Sequence, residues 1–63
     1  MENKFYDDQG RLIGSIVDSG WRRELYNSVN VLLGLYYPDL DKTEDASGRY
    51  VGSGDQLLRL LPR

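Results

Sequence analysis

The sequence predicts an α+β fold, a small antiparallel sheet with one long helix packed across it. Three features carry that expectation. Two copies of one turn-and-strand motif flank the middle of the chain, apolar residues recur at helical spacing between them, and a leucine-rich tail follows. The order reads as β-hairpin, long amphipathic helix, β-hairpin (ββαββ), then a short helix or strand, in one small domain over residues 1–63. A chain of this length has room for a single domain.

The motif comes first. Asp7-Asp8-Gln9-Gly10-Arg11-Leu12-Ile13-Gly14-Ser15 aligns without gaps with Asp45-Ala46-Ser47-Gly48-Arg49-Tyr50-Val51-Gly52-Ser53. The shared pattern is D-x-x-G-R-apolar-apolar-G-S. Asp favours the first position of a tight turn, where its carboxylate accepts from a backbone N–H two residues on. The first Gly tolerates the left-handed conformation that ends such a turn, so Gly10 and Gly48 are expected at positive φ. The apolar β-prone residues after the Arg read as an outgoing strand. The second Gly, Gly14 or Gly52, lies inside that strand and suggests a bulge or a close backbone approach. In Tyr6-Asp7 and Gly10-Arg11-Leu12 the first copy resembles the Tyr-Asp repeats of large bacterial surface proteins. The likeness covers under ten residues, rests on turn chemistry, and implies a hairpin turn and no function.

The first hairpin is expected to pair Lys4-Phe5-Tyr6 with Arg11 to Val17. Simple alternation puts Leu12, Gly14 and Ile16 on one face and Arg11, Ile13, Ser15 and Val17 on the other. A one-layer antiparallel sheet normally alternates apolar with polar. Here Ile13 and Val17 need cover, and a second subunit is the simplest cover.

Asp18-Ser19-Gly20 offers helix-capping residues. Beyond it Trp21, Leu25, Val29, Leu32, Leu33 and Tyr36 fall on one side at ~100° per residue. Pro38 disfavours helix at Tyr37, so the helix is expected over Gly20 to Tyr36. Its core residues would be Trp21, Leu25, Val29, Leu33 and Tyr36, facing Leu12 and Ile16. Tyr26, Leu35 and Tyr37 widen the apolar sector beyond what one sheet covers. Arg22 and Arg23 would oppose the helix dipole in the first turn.

Pro38 to Asp45 reads as an acidic loop. Asp39, Asp41, Thr43 and Asp45 resemble the start of an EF-hand calcium loop. The sixth position holds Glu44 where the turn needs Gly, and the twelfth holds Tyr50 where calcium needs a bidentate Glu. A solvated acidic loop is therefore expected. In the tail, Asp55 either caps a short helix or follows a turn into a strand at Leu57 to Leu61.

Composition sets limits on function. The chain has no Cys and no His, which excludes Cys–His and Ser–His–Asp chemistry and the usual zinc sites. No enzyme activity, metal or cofactor is expected. The N-terminus lacks a signal-peptide pattern, and Val29 to Tyr37 is too short to span a bilayer, so a cytoplasmic protein with no membrane association is expected. With five tyrosines, one tryptophan and surplus apolar surface, the chain reads as a small protein-interaction module or regulator acting as a homodimer. The interaction candidates are Arg11, Arg49, Trp21, Arg22, Ile13, Val17, Tyr26 and Tyr37. Arg11 and Arg49, if they share a surface, would bind a carboxylate or phosphate. The alternative is nucleic-acid binding through an Arg/Tyr patch drawn from Arg11, Arg22, Arg23, Arg49, Arg59 and Arg63. The net charge of −2 and the sequence pI near 4.8 argue against it.

Overall fold

A computed structural model describes residues 1–61, so Arg63 lies outside the described residues. Six strands form one sheet: β1 (Glu2–Tyr6), β2 (Leu12–Asp18), β3 (Arg23–Asn27), β4 (Leu32–Tyr37), β5 (Lys42–Asp45) and β6 (Tyr50–Ser53). They lie in chain order, each antiparallel to the next. The described residues hold no α-helix, only a 3₁₀ turn over Leu57–Leu60. The fold is all-β, and the expected α+β arrangement is corrected on this point.

The correction centres on residues 20–36, which form β3, a turn and β4 rather than a helix. A third copy of the motif sits there, running from Asn27 to Leu35. The Asn27 side-chain oxygen accepts the N–H groups of Val29 and Val31, both at 2.9 Å. Asp7 does the same for Gln9 and Arg11 at 2.9 Å, and Asp45 for Ser47 at 2.9 Å and Arg49 at 3.0 Å. Asn30 takes a φ of 64°, where Gly10 and Gly48 take 79° and 89°. Asn thus replaces both the Asp and the Gly of the motif. Both replacements are chemically sound, because an Asn amide oxygen caps the turn and Asn tolerates the left-handed region. The two recognised copies form the expected turns with both glycines at positive φ.

All three hairpins share one register. Phe5, Leu25 and Thr43 stand opposite Gly14, Gly34 and Gly52. One residue further on, Tyr6, Tyr26 and Glu44 stand opposite Leu12, Leu32 and Tyr50. Ile13, Leu33 and Val51 are therefore the extra residues of three equivalent β-bulges. The bulge breaks the simple alternation. Leu12 joins the face of Ser15 and Val17, and Ile13 lies beside Leu58 and Leu61 on the face of Phe5, Gly14 and Ile16.

That second face carries the core. Ile16, Leu25 and Leu57 are buried, with Phe5, Leu33, Tyr36, Leu60 and Leu61 packed around them. Of the expected core, Leu25 and Ile16 are buried, and Leu33 and Tyr36 are half-buried. Trp21 is 60% exposed, Val29 73% and Leu12 38%, because strand pairing places them on a turn, a turn and the opposite face.

The tail crosses the core face on a row of glycines. A Cβ on Gly14 would lie 2.5 Å from a Leu61 methyl and 2.8 Å from the Tyr26 carbonyl oxygen. A Cβ on Gly34 would meet Leu60 and lie 2.8 Å from the Glu44 carbonyl oxygen. Polar contacts lock the same segment. Buried Thr43 donates to the Gly54 carbonyl at 2.8 Å and accepts the Gln56 N–H at 2.9 Å. Arg23 bridges Asp18 at 3.1 Å and Asp55 at 2.6 Å. The tail, left open between helix and strand from the sequence, is a short 3₁₀ turn.

Candidate functional site

The face away from the tail carries the candidate site. Register sets its rows. Val17, Glu24, Leu35 and Glu44 stand side by side across β2 to β5, with Ser15, Tyr26 and Leu32 in the next row. Tyr37 stands opposite Lys42. None of the described tail packs on these residues, and most are half-buried by one another.

At one end of this face an aromatic and charged cluster forms. The Arg22 guanidinium lies 4.6 Å over the Trp21 ring, and the Trp21 and Tyr37 rings are 6.3 Å apart at 46°. Arg22 also pairs with Glu24 at 2.5 Å, and the Tyr26 hydroxyl donates to the other Glu24 oxygen at 2.9 Å. The Tyr26 hydrogen bond, followed by Arg22, holds the Glu24 carboxyl below its ordinary value, and Glu24 in turn raises Arg22. Both ends of that ion pair stay charged at neutral pH. The result is a cluster in which an exposed tryptophan, a stacked arginine and two tyrosines sit together.

Four candidates, Trp21, Arg22, Tyr26 and Tyr37, are thus brought together, by strand pairing rather than by a helix face. Val17 shares their face, opposite Glu24. Ile13 does not, because its bulge turns it to the core side. There it lies beside Phe5, Leu58 and Leu61, in a shallow groove that opens at the β1 edge past Tyr6 and Arg11. Arg11 and Arg49 do not meet. They lie at turns of the first and third hairpins, about four strand spacings or ~19 Å apart. Arg11 is held by Asp7 at 3.0 Å, and Arg49 lies close enough to Asp45 to help keep that carboxyl low. The two arginines form no shared anion site. Sequence reasoning missed Glu24, Leu35 and the Lys42–Glu44 pair, joined at 2.8 Å. The available signal was the Asn27-x-x-Asn30 spacing, a turn pattern with Asn in both special positions, which the helical reading overrode.

The expected acidic loop over Pro38 to Asp45 is corrected: Lys42–Asp45 is strand β5, and only Pro38 to Asp41 closes a turn. Tyr36 donates its hydroxyl to Asp41 at 2.9 Å, and Leu40 and Asp41 donate their N–H groups to Tyr37 and Pro38 carbonyls at 3.2 Å. Among the described residues no cluster of three or more metal-ligating side chains occurs. None of their helices is long and apolar enough to cross a membrane. The chain matches no protein-family model, no curated protein and no solved structure.

Proposed function

We propose that this chain is a non-enzymatic protein-interaction module that works as a homodimer. The observation that supports this reading is the imbalance between the two faces of the sheet. One face is served by a core of three buried apolar side chains, Ile16, Leu25 and Leu57. The other presents Val17, Leu35, Tyr26, Tyr37 and Trp21 with none of the described tail across it. Trp, Tyr and Arg are the residues that dominate protein interfaces, since they offer large rigid area with a polar handle. A domain of ~60 residues buries little of its own surface, and association is the remaining source of stability where disulfides and metals are absent.

Arg11, Arg22, Arg23 and Lys42 each sit against a carboxylate of the same chain, which leaves less cationic charge for phosphates. The protein-contact reading is therefore preferred to nucleic-acid binding. Sedimentation equilibrium at micromolar concentration tests it. The expected mass is twice the 7.2 kDa of the chain, and a monomer at every concentration overturns the proposal.

A further inference from the structure

We infer that two copies of this chain join through the free edge of β1, antiparallel, about a twofold axis that passes through Asn3. This rests on the self-association proposed above and specifies its surface and register.

The two edges of the sheet are unequal. β6 is four residues long, and Gly54 just after it takes a φ of 75° that turns the chain across the core face. Its outward Ser53 carbonyl is already taken by the Gln56 side-chain amide at 3.0 Å. That edge is blunted in the way proteins protect strand edges. β1 has no such cover among the described residues, and four of its five residues are exposed.

The hydrogen-bond phase of β1 follows from Met1, the residue just before it. Met1 donates its amino group to the Asp18 carbonyl at 3.0 Å and accepts the Asp18 N–H at 2.8 Å. Antiparallel pairing alternates from there, so Asn3 and Phe5 bond inward to β2. The N–H and C=O groups of Glu2, Lys4 and Tyr6 point out from the edge. A second β1 can satisfy them in a register that sets Glu2 opposite the partner's Lys4, and Lys4 opposite the partner's Glu2. Both pairs are then hydrogen-bonded pairs carrying opposite charges on one face. On the other face Met1, 91% exposed in the single chain, lies opposite the partner's half-buried Phe5. Asn3 meets its own copy on the axis. Sliding the register by one hydrogen-bonded pair would set Lys4 against the partner's Lys4, which like-charge repulsion disfavours. Joined this way, two copies make one continuous sheet, so the dimer supplies the stability a small core lacks and leaves its two Trp21 faces free to take a different protein.

Charge reversal tests the register. Glu2→Lys and Lys4→Glu each place like charges opposite one another twice. Each is expected to weaken dimerisation by about tenfold or more, since two cross-strand pairs change sign. The double variant exchanges the two charges and is expected to restore wild-type association. Both side chains are exposed, so an unchanged circular dichroism spectrum confirms the sheet in each case. Sedimentation equilibrium of all four proteins separates the outcomes. A wild-type dimer that both single variants leave intact, or that the double variant fails to restore, overturns the β1 register and leaves self-association standing. A wild-type monomer at all concentrations overturns both.

Discussion

Gly34 is where packing allows least freedom, and replacing it with Ala tests how the sheet and tail fit. The new methyl would stand 2.8 Å from the Glu44 carbonyl oxygen on β5 and would also meet the Leu60 side chain. Leu60 can swing aside, but the carbonyl belongs to a paired strand and can move only if β4 and β5 separate. Overpacking of this kind costs ~1–3 kcal/mol. Removing a strand glycine returns about 0.5–1 kcal/mol through the unfolded chain. The net loss expected is therefore between ~0 and ~2.5 kcal/mol, centred a little above ~1 kcal/mol, against the ~3–5 kcal/mol that a single small core supplies. Gly52 is the internal control. It has the same place in the repeat, but its added Cβ meets only the flexible Gln56 side chain at 3.4 Å. Gly52→Ala is expected to be neutral or slightly stabilising. Leu60→Ala combined with Gly34→Ala should not restore stability, because the Glu44 carbonyl remains in the way and Leu60 itself packs on the core. Urea denaturation followed by circular dichroism measures all three variants. Unfolding free energies for Gly34→Ala and Gly52→Ala that agree within ~0.5 kcal/mol would refute the argument, since that is the range of unremarkable surface changes.

Leu57→Ala removes a fully buried side chain and should cost ~2–5 kcal/mol, so the variant is expected to be largely unfolded at 37 °C by circular dichroism. Thr43→Val keeps the shape but strands the Gly54 carbonyl and the Gln56 N–H, at about 1–3 kcal/mol for each group left unpaired in the buried state. Hydrogen exchange should then show faster opening of the Gln56 amide. Asp7, Asp18 and Asp45 are held below the ordinary aspartate value of 3.8, chiefly by backbone N–H groups at Asp7 and Asp18 and by the Ser47 hydroxyl at Asp45. Their folded pKa is depressed, so the unfolded chain binds protons first. This stability is present above pH 4 and is lost as pH falls through the folded values. Asp7→Asn with Asp45→Asn should fold as Asn27 does, and should flatten the acid limb of a stability-versus-pH curve.

Local chemistry was legible wherever it was local. Asp7 and Asp45 announced tight turns, Gly10 and Gly48 announced positive φ, and Gly14 and Gly52 announced a bulge or a close backbone approach. All of these depend on contacts within a few residues, which residue type alone specifies. The helix over Gly20 to Tyr36 failed for a definite reason. Asn27 and Asn30 perform the same two tasks with different letters, so the third turn was hidden. Once it was hidden, apolar residues from two strands and a turn fell by coincidence on a 3.6-residue period. The candidate site shows the same division. Trp21, Arg22, Tyr26 and Tyr37 were identifiable by type, but their meeting depends on β3 pairing with β4.

The sequence alone establishes a small His-free and Cys-free chain with repeated Asp-x-x-Gly turns and a leucine-rich end. The tertiary structure adds which face each side chain occupies and which edge stays open. Three bulges, each inserting one residue, reverse the alternation within β2, β4 and β6 and send Ile13 to the core side. Thr43, which the sequence places in an acidic loop, becomes the buried anchor of the tail. Register and close backbone approach are properties of strand pairs, set by cross-strand hydrogen bonds between residues far apart in the chain, and no single strand encodes them.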